Sequence, residues 1–79
     1  MYQFSLHSIE QLAKRNITQE TVLWVIENVE EKTIQDGVTV YQKTIFENDK
    51  NYLIRVFINE DKVPPLIITG YKTSKTLKY

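Results

Sequence analysis

The chain has no cysteine, only two glycines and two prolines, and a single histidine and a single tryptophan among its 79 residues. Without cysteine, no disulfide can staple so small a fold, which suits a reducing compartment; a cytoplasmic location is the expectation. One imidazole and no thiolate cannot supply the usual nitrogen and sulfur ligands of zinc, so no metal site is expected, and no motif calls for a cofactor. Gly37 and Gly70 stand too far apart for a phosphate-cradling loop. No serine sits in a nucleophile motif, and no carboxylate pair with the spacing of a glycosidase is evident. No apolar run approaches the ~20 residues that span a bilayer, and the N-terminus lacks the cationic start and apolar middle of a signal peptide, so no membrane partner is expected.

Charge is balanced overall, with 10 basic and 10 acidic residues. That argues against general nucleic-acid affinity, which rests on lysine and arginine neutralising phosphates. The distribution is uneven. Residues 20–36 hold Glu20, Glu27, Glu30, Glu31 and Asp36 against Lys32 alone, whereas Lys62, Lys72, Lys75 and Lys78 follow the last acid, Asp61.

What the sequence does have is a clear order of elements in one domain, residues 1–79. Ser5 or Ser8 caps a first helix, Ser8 with Gln11 fitting a capping box, and Asn16 suits the left-handed turn that ends it. Thr18 caps a second helix, whose buried stripe is Val22, Val25, Ile26 and Val29. The expected spans are residues 5–15 and 18–28. Asp36-Gly37 is a strong hairpin signal between two β-rich runs, "ENDK" is a second turn, and Pro64-Pro65 marks a third connection. The expected fold is α+β, with two N-terminal helices packed on a four-stranded antiparallel meander.

Two features point toward chemistry. On the first helix, His7, Gln11, Lys14 and Arg15 fall on one side, and Ile9, Leu12 and Ala13 on the other. In the strands, if the aliphatic sets (Val38 and Val40; Leu66 and Ile68; Tyr52, Ile54, Val56 and Ile58) face the helices, the opposite face carries Tyr41, Lys43, Arg55, Tyr71 and Thr73. Such a set suits RNA phosphodiesters. RNA brings its own nucleophile, the 2′-hydroxyl; histidine or tyrosine can move protons, arginine and lysine can stabilise the phosphate, and tyrosines can stack bases. The plain alternatives are a surface histidine at a helix start, ordinary strand tyrosines, and an Arg55 that pairs with an acid such as Glu47 or Glu60. Trp24 lies opposite the apolar stripe of its helix and is expected partly exposed. It then marks contact with a partner or second copy, or packs on the chain's own N-terminal segment.

The motifs "FSLHSIEQLAKRNIT", "DGVTVYQK", "YLIRVF" and "TGYKTSK" resemble the domain-of-unknown-function 4258 family, over nearly the whole chain from Phe4 to Tyr79. That family is similar to the barnase–EndoU–colicin–RelE-like group of metal-independent RNases, many of them toxins of toxin–antitoxin pairs. The resemblance implies catalytic roles for His7, Arg15, Arg55 and Tyr71. With the sheet-face reading, it makes Tyr41, Lys43, Lys72, Thr73, Ser74 and Lys75 the candidate RNA-binding residues. It implies RNA and a small antitoxin-like protein as partners, and a homodimer is a further expectation. The departures are Gln11 where arginine is common in the family, Gly70 where alanine is, and Lys72 where arginine is. The leading expectation is an endoribonuclease-like toxin. The other is a non-catalytic module binding RNA or protein through the same sheet face; a purely structural interaction protein ranks behind both.

Overall fold

Ser5 and Thr18 set where the helices begin. Ser5 is extended, and its hydroxyl accepts the Ser8 amide at 3.0 Å, which starts α1 (Leu6–Lys14). Thr18 accepts the Thr21 amide in the same way ahead of α2 (Gln19–Glu27). Each cap gives a partner to a first-turn amide that has none within the helix. Between the helices, Asn16 adopts a φ of 59°, and the Asn16 and Ile17 amides turn back onto the carbonyls of Ala13 and Leu12. This is the left-handed closure expected there. The Ser8–Gln11 capping box does not form. Ser8 is fully buried inside α1 and its hydroxyl donates to the Ser5 carbonyl.

The computed structural model describes residues 1–74. After the helices come β2 (Glu31–Gln35), β3 (Val38–Glu47), β4 (Lys50–Asn59) and β5 (Leu66–Thr73), each antiparallel to the next. Asp36 and Gly37, and then Asn48 and Asp49, all have positive φ. Two successive left-handed residues give the tight primed turn whose twist matches flanking strands. The expected four-stranded, purely antiparallel sheet needs correction. A fifth strand, β1 (Gln3–Phe4), lies parallel to β5, so the sheet is mixed, in the order β1-β5-β4-β3-β2. Two residues are too few to show a strand period. The Gln3 amide is held by the Pro65 carbonyl at 2.9 Å, a contact across almost the whole chain.

Register decides which side chains face the helices, because directly paired residues share a face. Ile54, Val56 and Ile58 of β4 belong to the core under the helices, with Leu12, Ile17, Val22, Val25, Ile26 and Ile67. Their partners on β3 are Lys43, Tyr41 and Thr39. Tyr41 and Lys43 therefore face the helices, not the opposite side as expected from hydropathy. In β5, a bulge at Phe57/Ile58 shifts the register, so that Ile67 pairs with Ile58 while Gly70 pairs with Val56. The extra residue breaks simple alternation, and Ile67, expected on the outer side, is fully buried in the core.

The second glycine is explained by packing. A Cβ built on Gly70 comes within 3.1 Å of the Arg55 carbonyl oxygen and 3.2 Å of Leu12 Cδ2. Glycine at this position lets α1 lie close on β5. Gly70→Val is therefore expected to lower stability by about 1–3 kcal/mol, the range for overpacking a filled site. Chemical denaturation of the two proteins checks this, and an unchanged midpoint would show that the helix has room to spare.

Candidate functional site

The face opposite the helices carries an arginine set between two aromatic rings. Arg55 on β4 pairs in register with Tyr71 on β5, and its Nη1 donates to the Tyr71 hydroxyl at 2.9 Å. The guanidinium carbon lies 5.6 Å from the Phe57 ring centroid and 5.9 Å from that of Tyr71, and the two rings are 6.0 Å apart. Thr73 follows on the same face, opposite Leu53. Arg55 thus takes neither acid expected as its ordinary partner. Glu47 is held by Lys72, and Glu60 by Tyr41 and Lys32.

A second group meets β5 from α1. Arg15 Nη1 donates to Thr69 Oγ1 at 3.1 Å and to the Gly70 carbonyl at 2.8 Å, and Thr69 Oγ1 donates to Gln11 Oε1 at 2.9 Å. Gln11 therefore acts as an acceptor, a part that an arginine in its place could not play. His7 is exposed in the first turn of α1. His7, Gln11 and Arg15 recur at four-residue intervals along one side of the helix. Helical rise puts the His7 backbone about 6 Å before Gln11 and about 12 Å before Arg15.

The structure brings together Arg55, Tyr71 and Thr73 on one face, with Arg15 anchored on the strand residue next to Tyr71. It does not bring His7 to the Arg55–Tyr71 pair, and it places Tyr41, Lys43 and Lys72 on the helix side. Tyr41 is 5% exposed, and its hydroxyl donates to Glu60 at 3.2 Å, so its ring fills the core and is not presented for base stacking. Lys43 lies 5.7 Å from the Trp24 ring centroid. Lys72, paired in register with Ile54, is 4.7 Å from the Tyr52 ring centroid and bonded to Glu47. Ser74 is exposed just after β5, and Lys75 lies outside the described residues. Two contributors escaped the sequence reading. Phe57 is two residues from Arg55 and shares its face by alternation, and Thr69 is recognisable only from the packing of α1. Among the described residues no group of three or more His, Asp or Glu side chains is placed to hold a metal ion, and no helix is long and apolar enough to cross a membrane.

Comparison of the chain with known protein families, curated proteins and solved structures finds no match in any of the three.

At the other end of the helix side, Tyr2, Lys32, Tyr41 and Glu60 form a polar cluster. Lys32 Nζ lies 5.0 Å from the Tyr41 ring centroid and 3.7 Å from the Glu60 carboxylate. Hydrogen bonding to Tyr41, then the charges of Tyr41 and Glu60, raise the Lys32 pKa. Burial, then Tyr41 and Glu60, raise that of Tyr2. Both groups hold their protons more tightly in the folded chain than in the unfolded one. Their contribution is complete below their ordinary values near about 10 and is lost as pH rises through the raised folded values. The urea midpoint should therefore fall as pH is raised above about 9, and fall less steeply in Tyr41→Phe, which removes the hydroxyl common to both shifts. Parallel curves for the two proteins would show that this cluster does not set the alkaline limit.

Proposed function

We propose that the chain acts on RNA as a small, metal-independent endoribonuclease of the toxin type, working in the cytoplasm with an antitoxin-like protein as its partner. The observation that carries this reading is the Arg55–Tyr71 hydrogen bond on the helix-free face, with Phe57 beside it. A guanidinium held beside a phenol brings positive charge to a phosphate, while the neighbouring rings offer faces to bases. In such a reaction the ribose 2′-oxygen attacks phosphorus and the bond to the 5′-oxygen breaks. This leaves a 2′,3′-cyclic phosphate and a 5′-hydroxyl. Arg55 stabilises the charge on the pentacovalent phosphate. Tyr71, which accepts a hydrogen bond from Arg55, supplies the proton to the departing oxygen. His7 takes the 2′-hydroxyl proton if the RNA crosses the β5 edge toward α1, where Arg15 and Gln11 fix the helix to Thr69 and Gly70.

The binding-module reading has its own observation. Arg15 directs its guanidinium to the chain's own Thr69 and Gly70, and His7 stands about 12 Å along the helix from it. A sheet face with Arg55, Phe57 and Tyr71 can hold single-stranded RNA without cutting it.

An RNA panel separates the two. Wild type, His7→Ala, Arg55→Ala and Tyr71→Phe, each first shown to be folded, are incubated with RNA and the new ends identified. Cleavage by wild type leaving cyclic phosphates, slowed by about 10²–10⁴-fold on loss of a proton-transfer residue, is the expected result. Equal rates for wild type and His7→Ala would leave Tyr71 as the proton carrier. Binding without cleavage by any of the four, weakened in Arg55→Ala, would establish the non-catalytic module.

A further inference from the structure

β3 runs further than the strand beside it. β2 pairs with β3 only as far as Glu31 opposite Gln42, while β3 continues against β4 to Glu47. Residues 43–47 therefore form an edge on the β2 side. Two bonds fix the direction of its main-chain groups. The Glu30 amide donates to the Gln42 carbonyl at 2.9 Å, and the Thr44 amide donates to the Glu30 carboxylate at 2.6 Å. By strand alternation, Phe46 turns its N–H and C=O to the same side, past the end of β2. On Thr44 a side-chain carboxylate occupies the place of the carbonyl that a continuing strand would offer.

Over this edge lies a cleft of about 760 Å³, bounded by Thr18, Thr21 and Trp24 of the second helix segment and by Lys43, Ile45 and Phe46 of β3. Trp24 is 42% exposed and Phe46 71%. The rim is acidic. Glu20 lines the cleft, Glu27 is exposed on the same helix, and Glu30 stands at the edge, where the Lys43 ammonium lies 3.9 Å from its carboxylate.

We infer that this notch takes an extended, lysine- or arginine-bearing segment of a protein partner, added to the sheet as a strand in line with β2. Main-chain pairing at Thr44 and Phe46 supplies the attachment, and alternate side chains enter the cleft against Trp24 and Ile45. The incoming strand displaces the Glu30 carboxylate from the Thr44 amide and leaves that carboxylate facing the segment's cation. The acidic rim disfavours RNA. It also disfavours a second copy of the chain, whose own edge would bring Glu20 and Glu30 against their equivalents. The notch shares no residue with the Arg55–Tyr71 site, so the inference stands or falls separately from the RNA reading.

The probe is a library of random twelve-residue peptides selected against the folded full chain, with binding read from Trp24, the sole tryptophan. The expected result is enrichment of peptides that alternate apolar residues with lysine or arginine and shift the Trp24 emission. N-methylation of every second peptide amide should weaken binding at least tenfold, and methylation of the intervening amides should not. That two-residue period is a signature that side-chain docking alone does not give. Phe46→Pro, which removes one edge donor, and Thr21→Arg, which fills the cleft, should each weaken binding at least tenfold; circular dichroism verifies their folds, and Thr21→Arg decides if Phe46→Pro does not fold. Failure to enrich any peptide, an acidic consensus, or affinity indifferent to the folded variants would overturn the inference. So would dimerisation of the chain that buries Trp24 without any peptide.

Discussion

The approach of Leu12 to Gly70 is the contact on which the arrangement of the site depends. With no Cβ at Gly70, α1 settles against β5 closely enough for Arg15 to reach the Gly70 carbonyl and for Gln11 to reach Thr69. Tyr71, the next residue, turns to the other face and meets Arg55. One strand thus serves the helix layer through one residue and the candidate RNA face through its neighbour. The contact of Arg15 with the strand and the Arg55–Tyr71 pair are thus one residue apart on β5.

Both faces of this sheet bury aliphatic side chains. Val40 and Leu53, in register with Phe57 and Thr44, are 1% and 3% exposed although they lie on the side away from the helices. Arg55 shares that side with Leu53 and Phe57, its neighbours by strand alternation. Hydrogen bonds in such surroundings are stronger than in open water, and the geometry of the pair is held accordingly. On the helix side, Lys43 keeps its ammonium group near Trp24 where it lines the cleft.

Local signals in the sequence were legible, and those that depend on pairing were not. Ser5, Thr18 and Asn16 mark the helix ends because a cap is made by residues three or four positions apart, and Asp36-Gly37 marks its turn for the same reason. The exposure of Trp24 follows from helical geometry alone. Hydropathy alone puts Tyr41 and Lys43 on the wrong face because Val38 and Val40 are as apolar as a core-facing set, and only the register with Ile54 and Val56 resolves the choice. The bulge at Ile58 and the two-residue β1 leave no periodic trace. The Arg55–Tyr71 pairing is reachable as a grouping, since both fall on one face by alternation, and Phe57 shares that face with Arg55 in the same way; the ring contact itself depends on side-chain geometry that the sequence does not carry.

The distance in sequence between α1 and its dock has a consequence for how the molecule is made. The hairpins of β2, β3 and β4 close through two-residue turns, and each can form as soon as it is synthesised. Arg15 must wait for Thr69, 54 positions later, and Gln3 for Pro64, 61 positions later. At ordinary translation rates that interval is on the order of several seconds. During it the first helix has no β5 to cover, and Arg55, once made, waits a further 16 positions for Tyr71. The site therefore stays unassembled until β5 has been made, and two segments far apart in sequence, α1 and β5, complete it together.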